Sequence, residues 1–263
     1  MNYGLNVAAS GVLTSMYRQD VMANNLANLD TPGFKADVPF TRQRDVVRVE
    51  DHLMAMPSNQ LLERLGAGLL LSPNRTSHTQ GDLQLTSNPL DAAIKGTGFF
   101  VVQAPGDSAG PTGDRVRFSR DGRFTLDATG TLVQAASGLP VFDTSDREIV
   151  LDRLAGTVTI HENGTITQNN RPVAQLQLMD VPDPSMLKKV GDNLYQPSAS
   201  QLAAMKPSQA SVIGGSIERS AVDPIKAIMG VTSAASDVGS NARMMQLQDE
   251  IMGKAINTFG RVA

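Results

Sequence analysis

The stretch VMANNLANLDTPGFKA, residues 21–36, marks the end of a long helix and the turn that follows it. Pro32 cannot continue a helix, and Pro-Gly suits the centre of a type II turn, so we expect the helix to end before Asp30-Thr31-Pro32-Gly33. Upstream of this turn the apolar residues follow a heptad, which predicts a helix over residues 3–28. The heptad seam has Leu5, Val12, Gln19 and Leu26 at position a, and Ala8, Ser15, Met22 and Leu29 at position d.

Three asparagines lie in the last turns of this helix: Asn24, Asn25 and Asn28. At about 100° of rotation per residue, Asn24 and Asn28 point away from Leu26, and Asn25 lies on the flank of the seam. Asparagine amides both donate and accept hydrogen bonds, so on a helix packed among copies of itself they can fix the register between neighbours. We therefore expect these amides to make lateral contacts, while solvated asparagines at a fraying helix end are the competing interpretation.

A second heptad pattern occupies the other end of the chain and predicts a helix over residues 224–260. Asp223 is suited to the N-cap, and Pro224 to the first turn. Glycines inside this segment each weaken a helix by about 1 kcal/mol relative to alanine, so the helix needs partners. Its seam has Ile228, Ala235, Ala242, Asp249 and Ile256 at a, and Val231, Val238, Met245, Met252 and Phe259 at d.

Between the helices the apolar period shortens to two from about residue 79, which predicts mostly antiparallel β structure. The segment IKGTGFFVVQ, residues 94–103, is typical of a buried strand bounded by glycines. Its Gly96-Thr97-Gly98 predicts a strand bulge or a tight bend. We also predict a flexible loop over Pro105–Asp114 and a short helix near Gln60–Leu65. Hairpin turns are predicted at Asp121-Gly122, Thr129-Gly130, Asn163-Gly164 and Asn169-Asn170.

These patterns predict a mainly β protein in which a central antiparallel β domain is flanked by N- and C-terminal coiled-coil helices that pair. The predicted domains are residues 1–35 (helix and turn), 36–78 (linking segment), 79–215 (β domain) and 216–263 (C-terminal helix).

Composition excludes several classes of function. The 263 residues include 23 basic and 26 acidic side chains, and a net charge of −3 does not favour nucleic acid as a partner. Cysteine is absent, and no Gly-x-Ser-x-Gly motif or clustered metal ligands occur. The histidines, His52, His78 and His161, are predicted to be solvated surface residues. We therefore predict no enzymatic activity, no cofactor, no metal and no membrane span, and the first residues lack the pattern of a cleaved signal.

Five motifs occur in order along the chain: ANNLANLDTPGFKA (23–36), QGDLQLTSNPLDAAIKGTGFFVV (80–102), FSRDGRFTLDATGTLV (118–133), DNLYQ (192–196) and GSIERSAVDPIKAIMGVTSAASD (215–237). Together they resemble the flagellar basal-body rod and hook family of bacteria. The resemblance implies a structural subunit of the basal-body rod, similar to both proximal and distal rod proteins, that self-assembles through its paired helices into the axial drive shaft. It implies as partners copies of itself, other axial proteins of the family and the flagellar export apparatus, which would deliver the chain to the periplasmic space.

The expected assembly interface combines the two seams with the asparagines. The alternative function is a hook-type protein or another secreted adaptor, whose helices would form a discrete homo-oligomer. The interface residues are Leu5, Val12, Met22, Asn24, Asn25, Leu26, Asn28, Ile228, Val231, Val238, Met245, Met252, Ile256 and Phe259.

Overall fold

The computed structural model describes residues 3–46, 49, 66, 68–104 and 116–259. The helix predicted near Gln60–Leu65, the loop predicted over Pro105–Asp114 and the surface position predicted for His52 lie outside these residues. The chain divides into two units, of which the first contains both terminal helices and the second contains most of the strands. The first unit is Met1–Ala27, Asp37–Thr76 and Asp223–Ala263, and the second is Asn28–Ala36 and Ser77–Val222.

Three α-helices and seventeen β-strands are formed by the described residues. The helices are α1 (Tyr3–Ala27), α2 (Ala199–Ala204) and α3 (Pro224–Phe259). The strands are β1 (Asp37–Gln43), β2 (Leu69–Thr76), β3 (Leu83–Leu85), β4 (Ala92–Lys95), β5 (Phe99–Gln103), β6 (Val116–Ser119), β7 (Phe124–Leu126), β8 (Leu132–Gln134), β9 (Val158–Ile160), β10 (Thr165–Gln168), β11 (Arg171–Gln175), β12 (Leu178–Asp180), β13 (Lys188–Gly191), β14 (Leu194–Gln196), β15 (Lys206–Pro207), β16 (Ser211–Gly214) and β17 (Ser216–Glu218).

The first unit consists of α1, α3 and the antiparallel pair β1–β2. The predicted terminal helices are confirmed to within a residue or two at their ends, and they pack against each other. The Asp223 carboxylate accepts hydrogen bonds from the backbone N–H groups of Ile225 and Lys226, at 3.0 and 3.2 Å. Asp223 is therefore the N-cap of α3, and these hydrogen bonds, first that of Lys226, lower the pKa of its carboxyl group.

The second unit is built around β5, which has apolar cores on both of its faces. Phe100 and Val102 point into the larger core, whereas Phe99 and Val101 point into a smaller one with Phe118 and Tyr195. This burial on both sides explains the unbroken apolar run of the strand. The strand lies inside a six-stranded antiparallel sheet of order β13-β14-β6-β5-β12-β15. The bend predicted before it is confirmed, with φ of 111° at Gly96 and 139° at Gly98.

Most of the predicted hairpin turns are confirmed. β7–β8, β9–β10 and β10–β11 are antiparallel pairs joined at Thr129-Gly130, Asn163-Gly164 and Asn169-Asn170, and both residues of the last turn have positive φ. The hairpin predicted at Asp121-Gly122 is wrong, because β6 and β7 belong to different sheets. A Cβ at Gly122 would lie 1.6 Å from the Ala92 carbonyl oxygen, so this glycine serves a close approach of two backbones.

Candidate functional site

Small and polar residues form the contact between α1 and α3. A Cβ added at Gly4 would lie 2.9 Å from a side-chain atom of Gln248, and one added at Gly11 would lie 2.9 Å from Asn241. Residues near the start of α1 thus meet the C-terminal half of α3, so the helices are antiparallel. The same closeness occurs at the other end of the pair, where Met22 contacts Gly230. Such a contact brings the helix backbones close together but buries few large apolar side chains.

The predicted seam of α1 faces inward, whereas that of α3 does so only in part. On α1, Ala8 and Ser15 are buried, and the predicted interface residues Leu5, Val12, Met22 and Leu26 are half-buried. On α3, Val231, Val238 and Met245 are half-buried. Ile228, Met252 and Ile256 are instead 54%, 44% and 67% exposed.

The inward face of α3 begins one residue earlier than the heptad predicts, at Ala227 and Ala234, which are 4% and 1% exposed. Alanine at these positions lets α1 approach closely, and this turns Ile228 away from the pair. Phe259 ends α3, and its side chain lies outside what the structure describes.

Large apolar side chains lie on the outer surfaces of both helices. Leu13 and Met16 of α1 are 62% and 49% exposed, and we call them the α1 patch. The sequence interpretation missed these residues because it assigned every apolar position of interest to the inner seam. The α3 stripe consists of Met229, Met244, Leu247 and Ile251, which are 66%, 50%, 53% and 59% exposed.

The α3 stripe has its own sequence signal. Met244, Leu247 and Ile251 follow the i, i+3, i+7 spacing that places residues on one side of a helix. Beyond them, Met252 and Ile256 form the α3 end, which follows the contact of Gln248 with Gly4 at the start of α1. Exposed large apolar side chains on one side of a helix are typical of protein interfaces.

The three asparagines have three different roles. Asn24 lies on the exposed side of α1, as predicted from the helix geometry. Asn28 builds the turn, where its side-chain oxygen accepts a hydrogen bond from the Thr31 hydroxyl at 3.2 Å. Asn25 is buried, and its amide donates to the Asp37 carbonyl oxygen at 2.7 Å and accepts from the Asp37 N–H at 2.9 Å. Asn25 thus makes a contact within the chain, where its amide joins α1 to β1, instead of the lateral contact that the sequence predicts.

Replacing Asn25 with alanine is expected to loosen β1 from α1, because both hydrogen bonds to Asp37 would be lost at a cost of about 1–3 kcal/mol. Hydrogen exchange of the amides of β1 measures this effect and should become faster. Asn6→Ala changes an exposed asparagine on the same helix and is the matched control. Equal protection of β1 in the two variants would contradict the assigned role of Asn25.

In the second unit a cluster of buried charges lies beside the turn at Asp30-Thr31-Pro32-Gly33. The Glu218 carboxylate accepts from Lys35 Nζ at 2.5 Å, from Arg120 Nη1 at 3.2 Å and from the Gly81 N–H at 2.9 Å. The side chains of Lys35, Arg120 and Glu218 are 1%, 6% and 0% exposed. Burial lowers the pKa of Lys35 and of Arg120, and the neighbouring Glu218 partly opposes this in each case. We call these three residues the charge cluster.

The charge cluster connects the segments that lead to the two terminal helices. Lys35 follows α1 by eight residues, and Glu218 precedes α3 by six. The Gly33 N–H donates to the Glu218 carbonyl oxygen at 2.7 Å, and the Ala221 N–H donates to the Phe34 carbonyl oxygen at 3.4 Å.

Gly33 has φ of 69°, and a Cβ there would lie 2.4 Å from the Arg120 backbone. The turn thus requires glycine at this position.

The five sequence motifs converge on the charge cluster and on the turn beside it. Each contributes at least one group: the TPGFK turn contributes Lys35, and the later motifs contribute Gly81, Arg120, Asn193 and Glu218. Asn193 Nδ2 donates to the Pro32 carbonyl oxygen at 2.9 Å. The sequence interpretation did not identify this role, although the isolated charges inside apolar motifs are a usable signal for it.

His78 packs beside the charge cluster between two aromatic rings. The ring centroids of Phe99 and Tyr195 lie 5.6 and 5.4 Å from that of His78. Burial, followed by the positive charges of Lys35, Arg120 and Lys189, lowers the pKa of His78 to about 4. The expected solvated surface position is thus wrong for His78, whereas His161 is exposed.

Acid is expected to destabilise the second unit through His78. Its folded pKa is below its unfolded value of 6.5, so the unfolded chain takes up a proton first and stability falls as the pH is lowered from about 6.5 to about 4. Urea midpoints at pH 7 and pH 4.5 measure this loss. His78→Gln removes the titrating group and should show a smaller loss than the parent protein. Equal losses in the two proteins would contradict this prediction.

Among the described residues, no cluster of acidic or histidine side chains is arranged to hold a metal ion. No helix formed by these described residues has the length and hydropathy needed to cross a membrane.

Two family models match the N-terminal helix with its turn and a central part of the β structure. The family model described as flagellar hook protein FlgE/F/G D1 domain matches residues 93–168, and that described as flagella basal body rod protein matches residues 5–35. The flagellar basal-body rod protein FlgF of Caulobacter vibrioides is 30% identical over 262 residues, which cover 100% of both chains. FlgG of Agrobacterium fabrum is 30% identical over 265 residues, covering 94% of this chain and 95% of that protein. The flagellar hook protein FlgE of Treponema pallidum is 34% identical over 150 residues, which cover 55% of this chain but only 30% of that protein.

Proposed function

This chain belongs to the family of flagellar basal-body rod proteins, and we propose that it joins the rod through the α1 patch, the α3 stripe and the α3 end. It is a structural component of the rod and performs no catalysis. Its partners are copies of itself and other axial proteins of the family, and the flagellar export apparatus delivers it to the periplasmic space. The observation that carries the assembly proposal is the outward position of the large apolar side chains on both terminal helices.

The balance of inner and outer contacts supports this assignment. The inner contact rests on glycines, amides and a surface ion pair in which Arg18 Nη1 and Asp237 Oδ2 are 3.6 Å apart. Surface ion pairs contribute at most about 1 kcal/mol. Each outward Leu, Ile or Met side chain contributes about 1.5–3 kcal/mol when it is fully buried. The outer side chains of the helices, such as Leu13, Met229 and Leu247, therefore offer apolar area that neighbouring subunits can bury.

A surface of this kind favours extended assembly. If the outer surface of one copy meets a different surface of the next, the contact repeats along an axis and generates a filament or tube. The inner seam residues that the sequence assigned to assembly, such as Val12 and Met245, then hold the helix pair together within each subunit. Asn24, on the exposed side of α1, stays a candidate for lateral contacts.

Location in the basal body tests the proposed function. Purified basal bodies would be labelled with an antibody against this chain and imaged by electron microscopy. Label on the rod is expected, and loss of the label in a strain that lacks the gene is the control. Label confined to the hook, or absent from basal bodies, would contradict the proposal.

Sedimentation of the purified chain separates the rod subunit from the alternative secreted adaptor. A rod subunit should sediment as a monomer or as long polymers, because the outer surfaces do not close on themselves. A sharp, stable small oligomer would favour the adaptor instead.

A further inference from the structure

Methionines are concentrated on the outer surfaces of the terminal helices. Of the twelve methionines in the chain, two lie on α1 and four on α3. Met16, Met229, Met244 and Met252 are 49%, 66%, 50% and 44% exposed, whereas Met22 and Met245, which lie on the inner seam, are half-buried. Exposed thioethers are therefore a major part of the surface that the proposed function assigns to assembly.

We propose that Met16, Met229, Met244 and Met252 form an oxidation-sensitive surface, whose conversion to methionine sulfoxide by hydrogen peroxide blocks assembly of the subunit. This inference rests on the proposed function, because it requires that neighbouring subunits cover these side chains. Assembly in turn shields the four thioethers from peroxide, so the sensitivity is confined to the subunit before incorporation.

The chemical step is a two-electron oxygen transfer. The thioether sulfur attacks one oxygen of hydrogen peroxide, a sulfur–oxygen bond forms and the O–O bond breaks. The second oxygen leaves as hydroxide and takes up the proton of the transferred oxygen to give water, so sulfur is oxidised to the sulfoxide and the peroxide is reduced. Methionine sulfoxide reductases reduce the sulfoxide back to methionine, so the modification is reversible.

The product is poorly suited to an apolar interface. Sulfoxide is a polar acceptor, and burying such a group without a hydrogen-bond donor opposes association. On the α3 stripe Leu247 and Ile251 lie on the same side of the helix as Met244, and their side chains carry no donor. Unoxidised methionine is unbranched and polarisable, so it adapts its shape to different neighbouring surfaces, and this adaptability is lost on oxidation.

Peptide mass spectrometry of the full chain, before and after assembly, tests the chemical part of the inference. In the free chain, Met16, Met229, Met244 and Met252 should be oxidised by hydrogen peroxide several-fold faster than Met22 and Met245. In the assembled form, the four outer methionines should be oxidised at least about ten-fold more slowly than in the free chain. Equal rates before and after assembly would overturn the proposal.

Incorporation into isolated basal bodies that lack this chain tests the consequence. Peroxide should lower incorporation of the parent protein and of Met186→Leu, a control that changes a 63% exposed methionine of the second unit. The combined variant M16L, M229L, M244L and M252L should keep its incorporation after the same treatment. Equal loss in the combined variant and the parent would overturn the proposal.

Two further measurements are the recovery of incorporation after the sulfoxides are reduced and the incorporation of the untreated protein. Treatment of the oxidised parent protein with methionine sulfoxide reductases should restore incorporation, and failure to recover after the sulfoxides are reduced would overturn the inference without reliance on any variant. Failure of the untreated parent protein to incorporate would instead contradict the proposed function itself.

Discussion

Glu218→Gln is expected to lower the free energy of unfolding of the second unit by about 3–5 kcal/mol, whereas Lys35→Met should lower it by only about 1–3 kcal/mol. The charge cluster contains two cations and one carboxylate, all of them buried. Removing the carboxylate leaves Lys35 and Arg120 buried side by side without a counter-ion. Removing Lys35 leaves Arg120 and Glu218 as a neutral pair.

Urea unfolding followed by circular dichroism measures both losses. Glu250→Gln is the matched control, because it makes the same substitution in the exposed pair of Glu250 with Lys254, whose oxygen and nitrogen atoms are 2.7 Å apart. We expect it to change stability by less than about 0.5 kcal/mol. The double variant Glu218→Gln with Lys35→Met should lose less than the sum of the single losses, since the two sites share one interaction. Equal effects of Glu218→Gln and Glu250→Gln would contradict the importance of the cluster.

Local patterns in the sequence were sufficient to predict the two terminal helices and most of the hairpin turns. The heptads and the cap at Asp223 predict both terminal helices, and Asn169-Asn170 predicts a tight turn because asparagine tolerates positive φ. These features depend on residues a few positions apart. The Asp121-Gly122 prediction failed because the same dipeptide also suits a close backbone approach, here to Ala92, which local sequence does not reveal.

The candidate site depends on contacts between distant parts of the chain. Lys35 and Glu218 are 183 positions apart in the sequence. Asn25 is hydrogen-bonded to Asp37, which lies on β1, a strand that the sequence analysis did not predict. The heptad on α3 was shifted by one residue, because alanine is apolar enough to occupy either an inner or an outer position. The observed inner face includes Ala227 and Ala234, because α1 packs closely against them. The order of residue types along the chain does not predict how closely two helices pack.

Replacing Leu247 and Ile251 together with aspartate is expected to lower incorporation into the rod at least about a hundred-fold, because the proposed contact would have to bury two unpaired carboxylates. Both residues are more than half exposed in the single chain, so the folded subunit should tolerate the change. Incorporation is measured by the amount of the chain in purified basal bodies relative to another basal-body protein. Circular dichroism of the free chain checks that the helices persist.

Two other variants separate outer from inner contacts. Leu154→Asp introduces the same charge at a leucine that is 95% exposed on the second unit, and it should incorporate normally. Met245→Asp places the charge on the half-buried inner seam, so it should reduce helix content in the free chain before assembly begins. Normal incorporation of the Leu247 and Ile251 variant would exclude the α3 stripe as an assembly surface. A matching loss of helix content in that variant and in Met245→Asp would show that the stripe stabilises the subunit instead.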